Sequence, residues 1–67
     1  MLTITLNGES RQFPRELHVQ ALIDELGLAG KRIAVERNGH IVPRSQFAAC
    51  QLLDGDTLEL VVAVGGG

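Results

Sequence analysis

Three consecutive glycines, Gly65-Gly66-Gly67, close the 67-residue sequence and have the plainest chemical use of any residues in it. Glycine carries no Cβ, so a run of it enters a slot that admits only backbone. Three residues reach roughly 10 Å when extended. The reactive group is the terminal carboxylate of Gly67, whose ordinary pKa of about 3.3–3.7 leaves it ionised at neutral pH. A slim anionic handle on a small domain suits a substrate that another enzyme activates. The plain alternative is a frayed terminus.

The other residue types capable of chemistry lack partners. Cys50 sits in an apolar stretch, Phe47-Ala48-Ala49-Cys50, and is read as a small hydrophobe, because a reactive thiol needs an electropositive setting that the stretch does not supply. His18, His40 and Cys50 have no zinc-ligand spacing, so no metal site is expected. Ser10 and Ser45 have no evident base beside them, and so short a chain leaves little room for a catalytic cleft. The glycine end is no phosphate loop, since neither a helix nor a Lys-Ser/Thr pair follows it. The chain is therefore expected to bind no cofactor and to be no enzyme.

Composition narrows the partners. A formal charge of −2 and 3% aromatic residues argue against a nucleic-acid surface, which needs a basic stripe with stacking rings. The segment Met1-Leu2-Thr3-Ile4-Thr5 lacks the basic stretch and apolar core of a signal peptide. The longest apolar run, Leu60 to Val64, is too short to cross a bilayer. One cysteine makes no internal disulfide. A cytoplasmic protein with no membrane partner is expected.

The elements that must position the tail follow from periodicity. Leu2, Ile4 and Leu6 alternate with Thr3 and Thr5, a half-buried strand. Asn7-Gly8 is a type I′ hairpin signal, because both residues tolerate positive φ, and the return strand runs from Ser10 to an inward Phe13 before Pro14. Val19, Leu22, Ile23 and Leu26 fall at i, i+3, i+4 and i+7, one apolar helix face. The helix start is weakly signalled, with Leu17 or His18 where Ser, Thr or Asp would cap; Gly27 and Leu28 mark its stop.

Ile33 and Val35 begin a third strand, Asn38-Gly39 turns it, and His40-Ile41-Val42 returns as far as Pro43. Arg44 to Cys50 holds a short helical turn with Phe47 inward, and Asp54-Gly55-Asp56 leads into the last strand. In that strand Leu58, Leu60, Val62 and Val64 share one face, and Thr57, Glu59, Val61 and Ala63 the other. The order predicts an α+β fold of the β-grasp, ubiquitin-like kind, with one helix on a mixed four- to five-stranded sheet. The last strand is expected beside and parallel to the first, because these two are the most continuously apolar. Residues 1–64 form the single domain, and residues 65–67 a flexible tail.

The stretch Arg37-Asn38-Gly39-His40-Ile41-Val42-Pro43-Arg44 resembles the central motif of the ThiS-type sulfur carriers of thiamine thiazole biosynthesis. Leu53-Asp54-Gly55-Asp56 before a strand that ends in glycines is the second point of likeness. The resemblance covers the whole chain, and it implies a mechanism. A ThiF-like adenylating enzyme would join the Gly67 carboxylate to AMP from ATP. Sulfur derived from cysteine would displace AMP to leave a C-terminal thiocarboxylate, and that group would supply thiazole synthase. Gly65 and Gly66 would thread where a side chain clashes. Two other readings remain: a sulfur carrier of the molybdopterin synthase type, and a ubiquitin-like binding module whose tail is never activated.

Three further residues are candidates for docking. Val61 and Ala63 lie on the sheet face away from the helix, where exposed apolar side chains would mark a partner surface unless loops cover them. Arg44 is either a solvated turn residue or part of such a surface.

Overall fold

The computed structural model describes residues 1–63. Its central strand is the last one. Strands β1 (Leu2–Leu6), β2 (Glu9–Phe13), β3 (Ile33–Arg37), β4 (His40–Val42) and β5 (Thr57–Val62) form a single sheet in the order β2-β1-β5-β3-β4. Helix α1 (Val19–Glu25) packs on one face, and a single turn of 3-10 helix, Arg44–Gln46, follows β4. This is the expected one-helix, mixed-sheet β-grasp architecture. As anticipated, β5 runs parallel to β1, with Thr5 opposite Thr57 and Leu6 opposite Leu58, and antiparallel to β3 on its other side.

Both Asn-Gly pairs make the turns their residue types favour. Asn7 and Gly8 have φ of 49° and 84°, and Asn38 and Gly39 of 51° and 86°. Positive φ at both central residues gives a backbone twist that matches the flanking strands. The return strand β2 begins one residue earlier than Ser10, at Glu9. Phe13 is only half-buried, and the rest of β2 is exposed.

The core lies between α1 and the inner sheet face. Leu2, Ile4 and Leu6 from β1, Val35 from β3, and Leu58 and Leu60 from β5 meet Val19, Leu22 and Ile23 of the helix. Leu17, Phe47 and Leu52, from outside these elements, complete the buried cluster. Leu26, expected in the core, is the C-cap residue and is only half-buried, because the helix stops at Glu25. Gly27, at φ 73°, ends it: its N–H bonds the Asp24 carbonyl and the Leu28 N–H bonds the Ile23 carbonyl. That double bond pattern closes a helix through a left-handed residue.

The helix start corrects the reading of a poor cap. His18 is the N-cap, and its Nδ1 accepts the Ala21 N–H at 3.1 Å. The Val19 and Gln20 N–H groups donate to the carbonyls of Cys50 and Phe47, each at 2.9 Å. The first-turn donors that a helix leaves unpaired are thus met by an imidazole and a distant turn.

Candidate functional site

The candidate site is the C-terminal end of β5 and the sheet surface around it, so its geometry depends on what holds β5. On the β3 side the ladder runs without a break: Arg37 opposes Leu58, Glu36 opposes Glu59, Val35 opposes Leu60, Ala34 opposes Val61, and Ile33 opposes Val62. One further bond, from the Ala63 N–H to the Arg32 carbonyl at 2.9 Å, carries the pairing past the strand end. On the β1 side, the Asn7 N–H donates to the Leu58 carbonyl at 2.9 Å, and beyond it the Asn7 side chain takes over at Leu60.

The start of β5 is fixed by a polar cluster that nothing local in Asp54-Gly55-Asp56 reveals. Asp56 is buried, and its carboxylate accepts from Arg37 Nε at 2.8 Å, Asn38 Nδ2 at 3.0 Å and the Leu53 N–H at 2.8 Å. The Asn38 side chain also accepts the Thr57 N–H at 2.9 Å. Burial pushes the Asp56 carboxyl pKa up, but the Leu53 N–H, the Asn38 amide and the Arg37 guanidinium outweigh it and hold the group below its ordinary value. The Asp56 hydrogen bond raises Arg37 in turn. The aspartate joins three chain segments and leads directly into the strand.

Arg37 also bears on Cys50. Its Nη1 lies 3.7 Å from the Cys50 Sγ, so the half-buried thiol does have a cation beside it that its own stretch could not show. That cation is already committed to Asp56 at 2.8 Å, and Cys50 packs against the core. Among the described residues no group of three or more His, Cys, Asp or Glu is arranged to hold a metal ion. No helix among them is long and apolar enough to cross a membrane.

Val61 and Ala63 lie on the face opposite α1, and both are exposed, Val61 at 63%. Loops do not cover them. Alternation along the paired strands puts Ala34 of β3 and Ile41 of β4 on the same face, also exposed. Arg44 stands elsewhere. It opens the 3-10 turn and lines a small hollow on the helix side with Gln20, Ile23, Lys31, Ile33 and Phe47. The structure therefore groups Val61 with Ala63 and separates Arg44 from both. Gly65, Gly66 and Gly67, with Val64, lie outside the described residues.

Comparison with known proteins follows the same outline. The ThiS family model matches residues 4–67. The sulfur carrier protein ThiS of Bacillus subtilis is 32% identical over 65 residues, covering 96% of this chain and 98% of that protein. A thiazole synthase of Paramagnetospirillum magneticum is 46% identical over 66 residues, 98% of this chain. The chain spans only 20% of that enzyme's length. The crystal structure of the thiamine biosynthesis protein ThiS from Geobacter metallireducens superposes with a TM-score of 0.83 at 32% identity, covering 98% of this chain and all of that one.

Proposed function

This chain belongs to the ThiS family of sulfur carriers, and from that membership we propose that Gly67 carries sulfur as a C-terminal thiocarboxylate for thiazole formation in thiamine biosynthesis. The observation that carries the proposal is the reach of the family match: it runs through Gly67, which supports reading the glycine end as part of what the chain shares with its family. The likeness to thiazole synthases supports the same pathway, since their sequences include a stretch like this whole domain.

A carboxylate is a poor electrophile. An oxygen of the Gly67 carboxylate attacks the α-phosphorus of ATP on a ThiF-like adenylating enzyme, and pyrophosphate leaves. Hydrosulfide, its sulfur derived ultimately from cysteine, then attacks the acyl carbon; the C–S bond forms as the C–O bond to AMP breaks, AMP leaves, and loss of the S–H proton gives the thiocarboxylate. Thiazole synthase takes sulfur from that group. The domain is a protein co-substrate here: it presents the acyl carbon and supplies no catalytic side chain. Hydrogen of glycine at the last α-carbon leaves the acyl centre open to attack, and Gly65 and Gly66 admit the backbone to a narrow channel. The exposed Val61 and Ala63, at the same end of β5, offer apolar contact to both enzymes.

Intact-mass measurement tests this reading. Incubated with ATP, the adenylating enzyme and a sulfur source, the protein is expected to gain the mass of an oxygen-to-sulfur exchange. No conversion with any competent adenylating enzyme would overturn it.

A further inference from the structure

The outer sheet face holds an unanswered charge pair. Glu36 of β3 and Glu59 of β5 are directly opposed cross-strand partners on the face that α1 leaves uncovered. Side chains so placed leave the sheet on one side with Cβ atoms about 4.5–5.5 Å apart, and like charges in that relation repel. Glu59 is exposed and Glu36 half-buried. The ion pairs among the described residues are Arg15–Glu25 and Arg37–Asp56, so among these residues neither Glu36 nor Glu59 takes part in an ion pair. A local arrangement that works against the fold points to use elsewhere.

The surroundings indicate that use. Ile41 opposes Glu36 on one side, and the Ala34–Val61 pair lies next along β3 and β5. Ile41 is 68% exposed and Val61 63%. One exposed apolar side chain needs no explanation, but several on three adjacent strands around two carboxylates make a composite surface.

Resting on the reading that this face meets the carrier's enzymes, we infer that Glu36 and Glu59 form a clamp for one arginine of a partner protein, set among apolar contacts to Ile41, Ala34 and Val61. The guanidinium suits the gap because it is planar, always charged and has five donors in a fixed fork. Docking replaces a repulsion by charge-assisted hydrogen bonds to both carboxylates. A second copy of this chain is a poor occupant, since it would bring its own carboxylate pair and a like net charge of −2.

The test compares Glu36→Gln/Glu59→Gln with Val61→Asp, using the adenylating enzyme and thiazole synthase of the same organism. The double variant is expected to keep or raise the thermal midpoint while the Kd for the partners rises about tenfold at low salt. Its Kd should also depend less steeply on salt, because exposed charge contacts are screened. If Val61→Asp weakens binding and the double variant changes neither Kd nor salt slope, the clamp is overturned and the docking face stands. Unchanged binding in both variants overturns clamp and face together. A lowered midpoint in the double variant overturns the claim that the pair is unanswered within the domain. Wild-type protein that binds neither enzyme defeats the carrier reading itself.

Discussion

The side chain of Asn7 pairs with the backbone of Leu60 as a neighbouring strand would. Asn7 Oδ1 accepts the Leu60 N–H at 2.8 Å, and Asn7 Nδ2 donates to the Leu60 carbonyl at 3.3 Å. The β1 backbone turns away after Leu6, yet one amide extends its edge by a further residue of β5. The same asparagine supplies the positive φ of the hairpin turn, so a single residue serves both the turn and the sheet centre.

Asn7→Gly keeps the turn and removes the amide, which isolates the second role. With two hydrogen bonds lost at a partly buried site, the expected destabilisation is about 1–2 kcal/mol. For a domain of this size that lowers the melting midpoint by about 4–8 °C per kcal/mol. Amide exchange at Leu60 should accelerate beyond the global change, and its absence would show that the pairing does not hold β5.

Leu22 is fully buried beneath the sheet. Leu22→Ala should cost about 2–5 kcal/mol, a large share of the stability of a small domain. Chemical denaturation measures it directly, and an unchanged midpoint would contradict the packing of α1 on the sheet.

Asp56 makes stability depend on acid. Its folded-state pKa lies below the ordinary 3.8, so its contribution is complete above that value and is lost as pH falls through the folded pKa. Asp56→Asn keeps the shape and removes the charge, leaving Arg37 without its carboxylate and reversing one donor–acceptor relation. The expected loss at neutral pH is on the order of 2–4 kcal/mol. The gap between wild type and variant should narrow as pH drops below 3.8 in urea titrations. A gap that stays constant would place the stabilisation elsewhere.

Gly67→Ala tests the tail. The change retains the reach and adds a methyl beside the acyl carbon. Misplacement by even 1 Å can cost on the order of a hundredfold in rate when reacting groups are held in line. Thiocarboxylate formation, followed by intact mass, is expected to slow by about that factor with no change in melting midpoint. Wild-type conversion by the alanine variant would remove the argument that the slot admits only glycine.

Much of the fold was legible because it is written in local periods. Leu2, Ile4 and Leu6 alternate, Leu58 and Leu60 do the same, and the Asn-Gly pairs fix both hairpins. The face that Val61 occupies follows from the same alternation, whereas its exposure depends on the path of the loops. Three features escaped because their partners are remote in sequence. His18 caps a helix whose first N–H groups are met by Phe47 and Cys50, about thirty residues on. Asp56 reads as a turn residue until Arg37 and Asn38 are brought to it. The separation of Arg44 from Val61 depends on the path of the 3-10 turn, which no period encodes.

The place of β5 also has a mechanical meaning. Tension entering the strand from its C-terminal end acts along its axis, while the ladder bonds to β3 run across that axis. With β1 and Asn7 gripping the other edge, the strand is loaded in shear, and several bonds must fail together before it slides. A pull on this end would have to break that whole set of bonds before it unravelled the domain behind it.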